Sequence, residues 1–188
     1  YTNTKRYDGM LTKGETRKYI EAFKDKVVRE SRSNLSKKRK RVTKKLYDSI
    51  DGKVDVGENW ISLSFEMEDY GLYQDKGVSG TKKKYDTPYS YSSDSKLIGL
   101  EYHTGIFAKY ARFRKLRPRD KKGRFGTYKS MGFILARSIK EKGIKPSLFF
   151  TRPFRKYFKK FPKELTERFA LDVENLIAFS LNEKRLKK

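Results

Sequence analysis

Cysteine is absent from this chain of 188 residues, and histidine occurs once, at His103. The sequence therefore excludes disulfides, thiolate metal sites and thiol-based catalysis. No apolar run approaches the roughly 20 residues that a bilayer-spanning helix needs, and the first residues lack the apolar core of a signal peptide. We therefore expect a soluble protein without a membrane partner.

Acidic residues are also scarce, since 23 Asp and Glu stand against 47 Lys and Arg and the formal net charge is +24. Self-repulsion of this size favours a polyanionic partner. The chain nevertheless contains 13 Tyr and 13 Phe, which is more apolar surface than a disordered basic tail carries. The composition predicts one folded domain over residues 1–188, which begins with an N-terminal arm over residues 1–14.

Apolar residues at helical spacing predict two helical regions, over residues 15–51 and 129–183. We expect Gly52 to end the first region, Gly143 to end a short helix in the second, and Pro162 to interrupt or kink a long C-terminal helix. The apolar stripe of the first region is Ile20, Phe23, Val27, Leu35, Val42, Leu46 and Ile50. The stripe of the C-terminal helix is Leu165, Phe169, Val173 and Leu176.

Between the helical regions the apolar period changes to two. Ile61, Leu63 and Phe65 alternate with polar residues after a turn signal near Gly57, which predicts a β-hairpin with one buried face. Residues 53–80 are expected to hold this hairpin and a further short strand. The predicted fold class is therefore α+β, in which a small antiparallel sheet packs against a long N-terminal helix and a long C-terminal helix.

Residues 81–128 are predicted to form an extended loop or arm. They are rich in Tyr, Ser, Gly and Lys, and they exceed the usual length of a connection within a compact domain. A loop of this length is more typical of function than of scaffold. Its aromatic residues are the expected interface anchors: Tyr85, Tyr89, Tyr91, Phe113 and Phe125.

Two basic clusters are candidate contact sites for nucleic acid or for a partner protein. The first follows the N-terminal helix and comprises Lys37, Lys38, Arg39, Lys40, Arg41, Lys44 and Lys45. The second lies in the long loop and comprises Arg112, Arg114, Lys115, Arg117, Arg119, Lys121, Lys122 and Arg124. The first is either a solvated helix end or a surface that faces phosphates. For the second we favour contact with a neighbouring subunit over base stacking.

The residues predict no catalytic residue, cofactor or metal site. His103 has no accompanying Gly-x-Ser-x-Gly nucleophile motif, and the glycines near Gly80 lack the spacing of a phosphate-binding loop. The densest acidic group is Glu66, Glu68 and Asp69, and alternation would place Glu66 and Glu68 on one polar strand face. We interpret these carboxylates as the wet face of the hairpin, and we expect no enzyme.

Four segments follow one another in a characteristic order. Leu46–Ile50 is a Leu-x-x-Ser-Ile segment, Tyr70–Thr81 is an aromatic-flanked segment with Gly-Val, Arg137–Ile144 is an Arg-x-Ile-x-x-x-Gly-Ile segment, and Phe149-Phe150 opens the last helix. In this order the chain resembles the tail-completion and minor tail proteins of tailed double-stranded-DNA phages. It departs from them in the length of its long loop and in its basic first helix.

The resemblance implies a non-enzymatic virion component at the head-tail connector. Such a subunit would form a hexameric or dodecameric ring that joins portal or adaptor to tail, with packaged double-stranded DNA as a further candidate contact. Its location would be the virion, at the head-tail junction or tail, and the host cytoplasm during assembly. The alternatives are a monomeric, sequence-nonspecific DNA- or RNA-binding protein and a nuclease that uses Glu66, Glu68 or Asp69.

Overall fold

The computed structural model describes residues 14–37, 44–57, 60–91 and 100–186. In this part of the chain the elements are α1 (Glu15–Lys37), α2 (Lys45–Ser49), β1 (Asp51–Val56), β2 (Ile61–Glu66), α3 (Tyr70–Lys76), α4 (Leu100–Phe113), α5 (Tyr128–Lys142), α6 (Thr151–Phe158) and α7 (Phe161–Leu186). The strands form a two-stranded antiparallel sheet. The α+β class with long N- and C-terminal helices is thus confirmed.

The described residues group into two compact units. The first unit contains α1, α2, the β-hairpin, α6 and α7, and the second contains α3, α4 and α5 with their connections. In the first unit both the hairpin and α7 pack against α1.

The core of the first unit forms on the predicted apolar face of α1. Leu35 packs there with Leu46, Ile50 and Phe149, together with Val28, which the predicted stripe did not include. Phe149 and Ile50 are fully buried. Phe65 and Met67 from the hairpin side pack against this cluster. The predicted alternation is present in β2, but its apolar face is half-buried while its polar face is exposed.

A series of aromatic rings extends this core along α6. Phe150, Phe154, Phe158 and Phe161 make successive ring contacts at centroid distances of 5.3 to 5.9 Å, and Phe161 also meets Phe23 of α1 at 4.4 Å. The predicted C-terminal helix is interrupted between Phe158 and Phe161. Pro162 lies in the first turn of α7, where a backbone N–H would have no partner within the helix, so its absence costs no helical hydrogen bond.

Asp172 of α7 caps the N-terminus of α1. Its Oδ1 accepts a hydrogen bond from the Glu15 N–H at 2.8 Å, and its Oδ2 accepts from the Thr16 N–H at 2.9 Å and the Thr16 hydroxyl at 2.6 Å. The first N–H groups of a helix have no internal partner and carry positive partial charge. Burial works to raise the pKa of Asp172, but the hydrogen bonds from Thr16 and Glu15 outweigh it, so the pKa lies below its ordinary 3.8.

We expect Asp172→Ala to lower the free energy of unfolding by about 0.5–2 kcal/mol at neutral pH, the usual loss for a removed helix cap. Because folding lowers the pKa, the carboxylate stabilises fully above its unfolded value, and this contribution is lost as the pH falls through the folded value. The difference from wild type should therefore shrink below about pH 4. Urea unfolding at two pH values and fixed protein concentration measures it.

The control for this prediction is Asp25→Ala, which removes an exposed carboxylate from α1 that is 72% accessible and pairs with Lys24 at 3.3 Å. A surface change of this kind is expected to stay within about 0.5 kcal/mol. A loss at Asp172 that is equal at both pH values would contradict the assigned role of the charge.

The second unit is built on the packing of α4 against α5. Each helix buries an alanine, since Ala111 of α4 is fully buried and Ala136 of α5 is 6% exposed. The Thr127 side chain caps α5 by accepting from the Ser130 N–H at 3.1 Å. The helix ends before Gly143, which has a φ of 72°, so the predicted stop is confirmed.

A close backbone crossing joins both ends of the second unit. Val78 and Ile144 exchange two backbone hydrogen bonds, at 2.9 and 2.8 Å. Gly80 approaches so closely that an added Cβ would lie 2.2 Å from the Glu141 carbonyl oxygen. The glycines that the sequence places here are therefore required by contact between main chains.

Three expectations are corrected. Residues 81–128, predicted as an extended loop, include helix α4. Gly105 and the aromatic residues of α4 weaken its helical signal, and its packing on α5 supplies the stability.

Residues 70–76 form α3 instead of the further strand, because a short apolar run fits either structure. Gly52 does not end a helix, since it lies within β1 and pairs with Phe65.

Candidate functional site

The second predicted basic cluster forms one continuous surface segment, residues 112–126, here called the basic arm. It connects α4 to α5, and all eight of its predicted cations are exposed. Phe113 and Phe125 are 59% and 57% exposed among these cations. The structure therefore brings together the cluster and two of the aromatic residues that the sequence assigned to an interface.

Asp120 gives the basic arm a defined turn. Its Oδ1 accepts from the backbone N–H groups of Lys122 and Arg124 at 2.9 and 2.8 Å, and its Oδ2 accepts from the Arg124 guanidinium at 2.9 Å. Hydrogen bonds from the Arg124 backbone and then its side chain lower the pKa of Asp120. Arg119 and Phe125 pair across the turn. The arm is thus an ordered hairpin turn that presents its cations in fixed order.

Aromatic rings hold several of these guanidinium groups in place. Arg119 lies 4.3 Å and Arg117 lies 5.7 Å from the centroid of Phe125, and Arg117 also lies 5.1 Å from that of Tyr128. Arg112 approaches the same tyrosine at 5.8 Å. Such pairs are attractive and orient the cation. These rings therefore support guanidinium groups, and Phe125 keeps more than half of its surface exposed.

The first predicted cluster is described only in part. Residues 38–43, which include Lys38, Arg39, Lys40 and Arg41, lie outside the described residues. Lys37 is the last residue of α1, Lys44 precedes α2 and Lys45 begins it, and all three are exposed.

The three tyrosines assigned to the interface are partly used inside the second unit. Tyr85, Tyr89 and Tyr91 are half-buried, and the ring of Tyr89 meets that of Tyr73 edge-on at 4.7 Å. Burial raises the pKa of Tyr91. The tyrosines therefore differ from Phe113 and Phe125, whose rings remain largely exposed.

An exposed apolar ridge on α7 was not identified from the sequence. It consists of Phe169, Val173, Ile177 and Leu181, which are 51%, 38%, 52% and 56% exposed. Residues four apart lie on one face of a helix, so the four side chains form a row. The stripe predicted from the sequence contained Leu165, Phe169, Val173 and Leu176. Of these four residues Leu165 and Leu176 are half-buried, whereas Phe169 and Val173 are exposed.

Carboxylates border this ridge. Residues 164–183 contain five Asp and Glu and one cation, Arg168, in a chain of net charge +24. Glu174 lies three residues before Ile177 and seven before Leu181, so it borders the C-terminal half of the ridge. Glu167 lies seven residues before Glu174 and therefore on the same side of the helix, but it is only two residues from Phe169 and does not border the N-terminal half of the ridge. Both glutamates are exposed. Residues 164–183 of this helix therefore combine apolar surface with two exposed glutamates, whereas the helix also carries Lys163, Lys184 and Arg185 near its ends.

The acidic group near the hairpin is arranged differently from its prediction. Strand β2 ends at Glu66, and Glu68 and Asp69 lie beyond it, directly before α3. Glu66 and Glu68 therefore do not share a strand face. Across the described ranges, no three His, Cys, Asp or Glu residues come close enough to hold a metal ion, and no helix is both long and apolar enough to cross a bilayer.

Comparison with known proteins finds no family model, no curated protein and no solved structure that matches this chain.

Proposed function

We propose that this protein is a structural subunit of a ring at the head-tail connector of a tailed-phage virion, where it joins portal or adaptor to tail. The proposal assigns it no catalytic residue, cofactor or metal. The observation that carries the proposal is the exposed apolar ridge of α7. A ring subunit needs apolar surface that a neighbour can cover, and the ridge is exposed apolar surface.

The ridge is larger than the scattered apolar exposure of ordinary protein surfaces. Phe169 and Leu181 are twelve residues apart, which corresponds to about 18 Å along a helix. Single exposed apolar residues are common, whereas contiguous exposed apolar surface is typical of an interface. Each of the four side chains is more than one third exposed, so assembly would remove substantial apolar area from water.

Two further features support the connector position. The segment order noted above resembles tail-completion and minor tail proteins, and the fold implied by that resemblance is the α+β arrangement described here. In addition, a net charge of +24 suits a subunit close to packaged DNA, because a dense polyanion offsets the self-repulsion of the ring.

One observation favours a second candidate, a monomeric nucleic-acid-binding protein. Residues 100–148 contain fourteen Lys and Arg against three Asp and Glu, and the eight cations of the basic arm are exposed. A monomer with this surface would bind DNA through phosphates, without sequence preference and with an affinity that falls steeply with salt. Such binding gives no role to the exposed apolar ridge of α7.

The mass distribution of the purified protein separates the two candidates. We expect native mass spectrometry to find oligomers of ring size at both low and high salt, because apolar burial is not weakened by salt. The same samples are measured with duplex DNA added. A stable monomer that coats DNA at low salt and releases it at high salt would overturn the ring proposal and establish the second candidate.

A further inference from the structure

The basic arm and the α7 ridge are complementary in chemistry. The arm presents cations around the exposed rings of Phe113 and Phe125, and α7 presents carboxylates beside an exposed apolar row. Both surfaces therefore combine charged groups with exposed apolar side chains, and the charges of the arm and of the two glutamates are opposite in sign. Interfaces commonly combine apolar anchors with complementary charge in this way.

We propose that the basic arm of one copy docks on the α7 ridge of the next copy. This inference deepens the proposed function and rests on it, since it names the contact that builds the ring. Phe113 and Phe125 would pack on the ridge, while cations of the arm would meet Glu167 and Glu174.

The guanidinium groups of the arm suit carboxylate partners. Arg119 and Arg117 are already positioned over Phe125 at 4.3 and 5.7 Å, so less side-chain freedom is lost when they bind. Arginine binds carboxylates through two parallel hydrogen bonds. Stacked guanidinium groups beside a row of glutamates therefore give direction and register to the contact.

A pairing of two different surfaces also gives the correct symmetry. A contact between unlike patches is head-to-tail, and repeated head-to-tail contacts close into rings when the rotation permits. Pairing of α7 with a second α7 would instead bring Glu167 and Glu174 near the carboxylates of the partner helix, and like charges across an interface are unfavourable. The charges therefore favour the arm over a second α7 as the occupant of the ridge.

Charge reversal on each side tests this contact. The arm variant is Arg117→Glu with Arg119→Glu, which reverses the two guanidinium groups that the contact assigns to the glutamates and leaves Asp120 in place, and the α7 variant is Glu167→Lys with Glu174→Lys. Each should raise the protein concentration needed for half-assembly by about ten-fold or more, because like charges then face each other. The combined four-residue variant should assemble as wild type does.

Mixing distinguishes contact between copies from contact within one chain. An equal mixture of the arm variant and the α7 variant should assemble, because each arm then finds a complementary helix on the other protein. Restoration by the combined variant without restoration in the mixture would place the contact inside one chain and overturn the inference. Lys142→Glu with Lys145→Glu is the matched control, since it makes the same charge change at exposed positions outside the arm, and it should leave assembly unchanged.

Cysteine cross-linking supplies a second test, because the natural chain has no cysteine. Lys121→Cys and Leu181→Cys are introduced into separate copies, mixed and oxidised. Disulfide-linked heterodimers should exceed those formed when Lys142→Cys replaces the arm variant by about ten-fold. Equal yields would overturn the contact even where charge reversal impairs folding.

The outcomes separate this inference from the function on which it rests. Wild-type oligomers that persist in both reversal variants would overturn the arm contact and leave the ring proposal standing. A wild-type chain that stays monomeric in all conditions would overturn both. Loss of DNA binding by the arm variant with no change in oligomer mass would show that the arm faces nucleic acid, which also overturns the contact.

Discussion

Phe149→Ala is expected to lower the free energy of unfolding of the first unit by about 3–5 kcal/mol, as removal of a buried phenylalanine commonly does. Phe149 has no exposed surface and lies in the cluster formed by Val28, Leu35, Leu46 and Ile50. The change removes the apolar contacts of the ring and leaves a cavity that the surrounding helices fill only in part. Because domains are stable by about 5–15 kcal/mol, the variant should be close to unfolding at moderate temperature.

Chemical denaturation followed by circular dichroism measures this loss at a fixed protein concentration, since oligomers gain stability as concentration rises. Trp60→Ala is the matched control, because Trp60 is as large but 57% exposed. The control should lose about 1 kcal/mol or less. Similar losses in the two variants would contradict the central place of Phe149 in the core.

Gly143→Ala is expected to destabilise the second unit by about 2 kcal/mol or more, from two sources. Gly143 has a φ of 72° and a ψ of −171°. Residues other than glycine scarcely adopt this backbone conformation, which costs them about 1–3 kcal/mol. An added Cβ would also lie 2.1 Å from the Val78 carbonyl oxygen and 2.5 Å from the Gly80 nitrogen. Both atoms belong to the main chain, so relief requires separation of the backbone crossing.

Alanine substitutions at two other glycines separate the conformational strain from the steric clash. Gly123 also has a positive φ, of 79°, but no atom lies within 4 Å of its added Cβ, so Gly123→Ala should show the conformational strain alone. Gly105 lies in α4 with open space around it, and Gly105→Ala should stabilise by about 0.5–1 kcal/mol. The expected order of stability is therefore Gly105→Ala, wild type, Gly123→Ala and Gly143→Ala.

Amide hydrogen exchange of Val78 and Ile144 reports on the crossing directly, because their two backbone hydrogen bonds form it. Exchange at both amides should accelerate in Gly143→Ala more than in Gly123→Ala. Equal protection in the two variants would show that the backbone crossing tolerates the added methyl group.

Apolar periodicity predicted three features of the first unit, although it did not place Gly52 in β1. The face of α1, the alternation in β2 and the interruption near Pro162 all follow from the spacing of apolar residues and from the missing N–H of proline. The position of a glycine located the end of α5, because Gly143 adopts a backbone conformation that favours glycine.

The second unit was less predictable because tertiary contacts decide its structure. Helix α4 carries Gly105 and several aromatic residues, which are weak helix formers, and it is stabilised by packing on α5. The turn of the basic arm does have a local sequence signal. Asp120 precedes Lys122 and Gly123 in a pattern typical of a turn closed by an aspartate side chain, so an ordered turn could have been expected.

The apolar ridge shows a limit of sequence patterns. Periodicity indicates which residues of a helix are apolar, but it does not tell whether the chain itself or a second molecule covers them. Helix α7 carries apolar residues on more of its circumference than its contact with α1 requires, since Phe169 and Val173 remain exposed beside the half-buried Leu165 and Leu176. This excess was the available signal for an interface.

The most direct test of the central claim is the symmetry of the assembled protein in single-particle electron microscopy. If copies join head-to-tail as ring subunits of a connector, class averages should show closed rings with a central opening and six- or twelve-fold symmetry, as the resemblance to tail-completion proteins implies. Compact two-fold dimers, or monomers only, at concentrations where assembly is complete by mass would contradict the account.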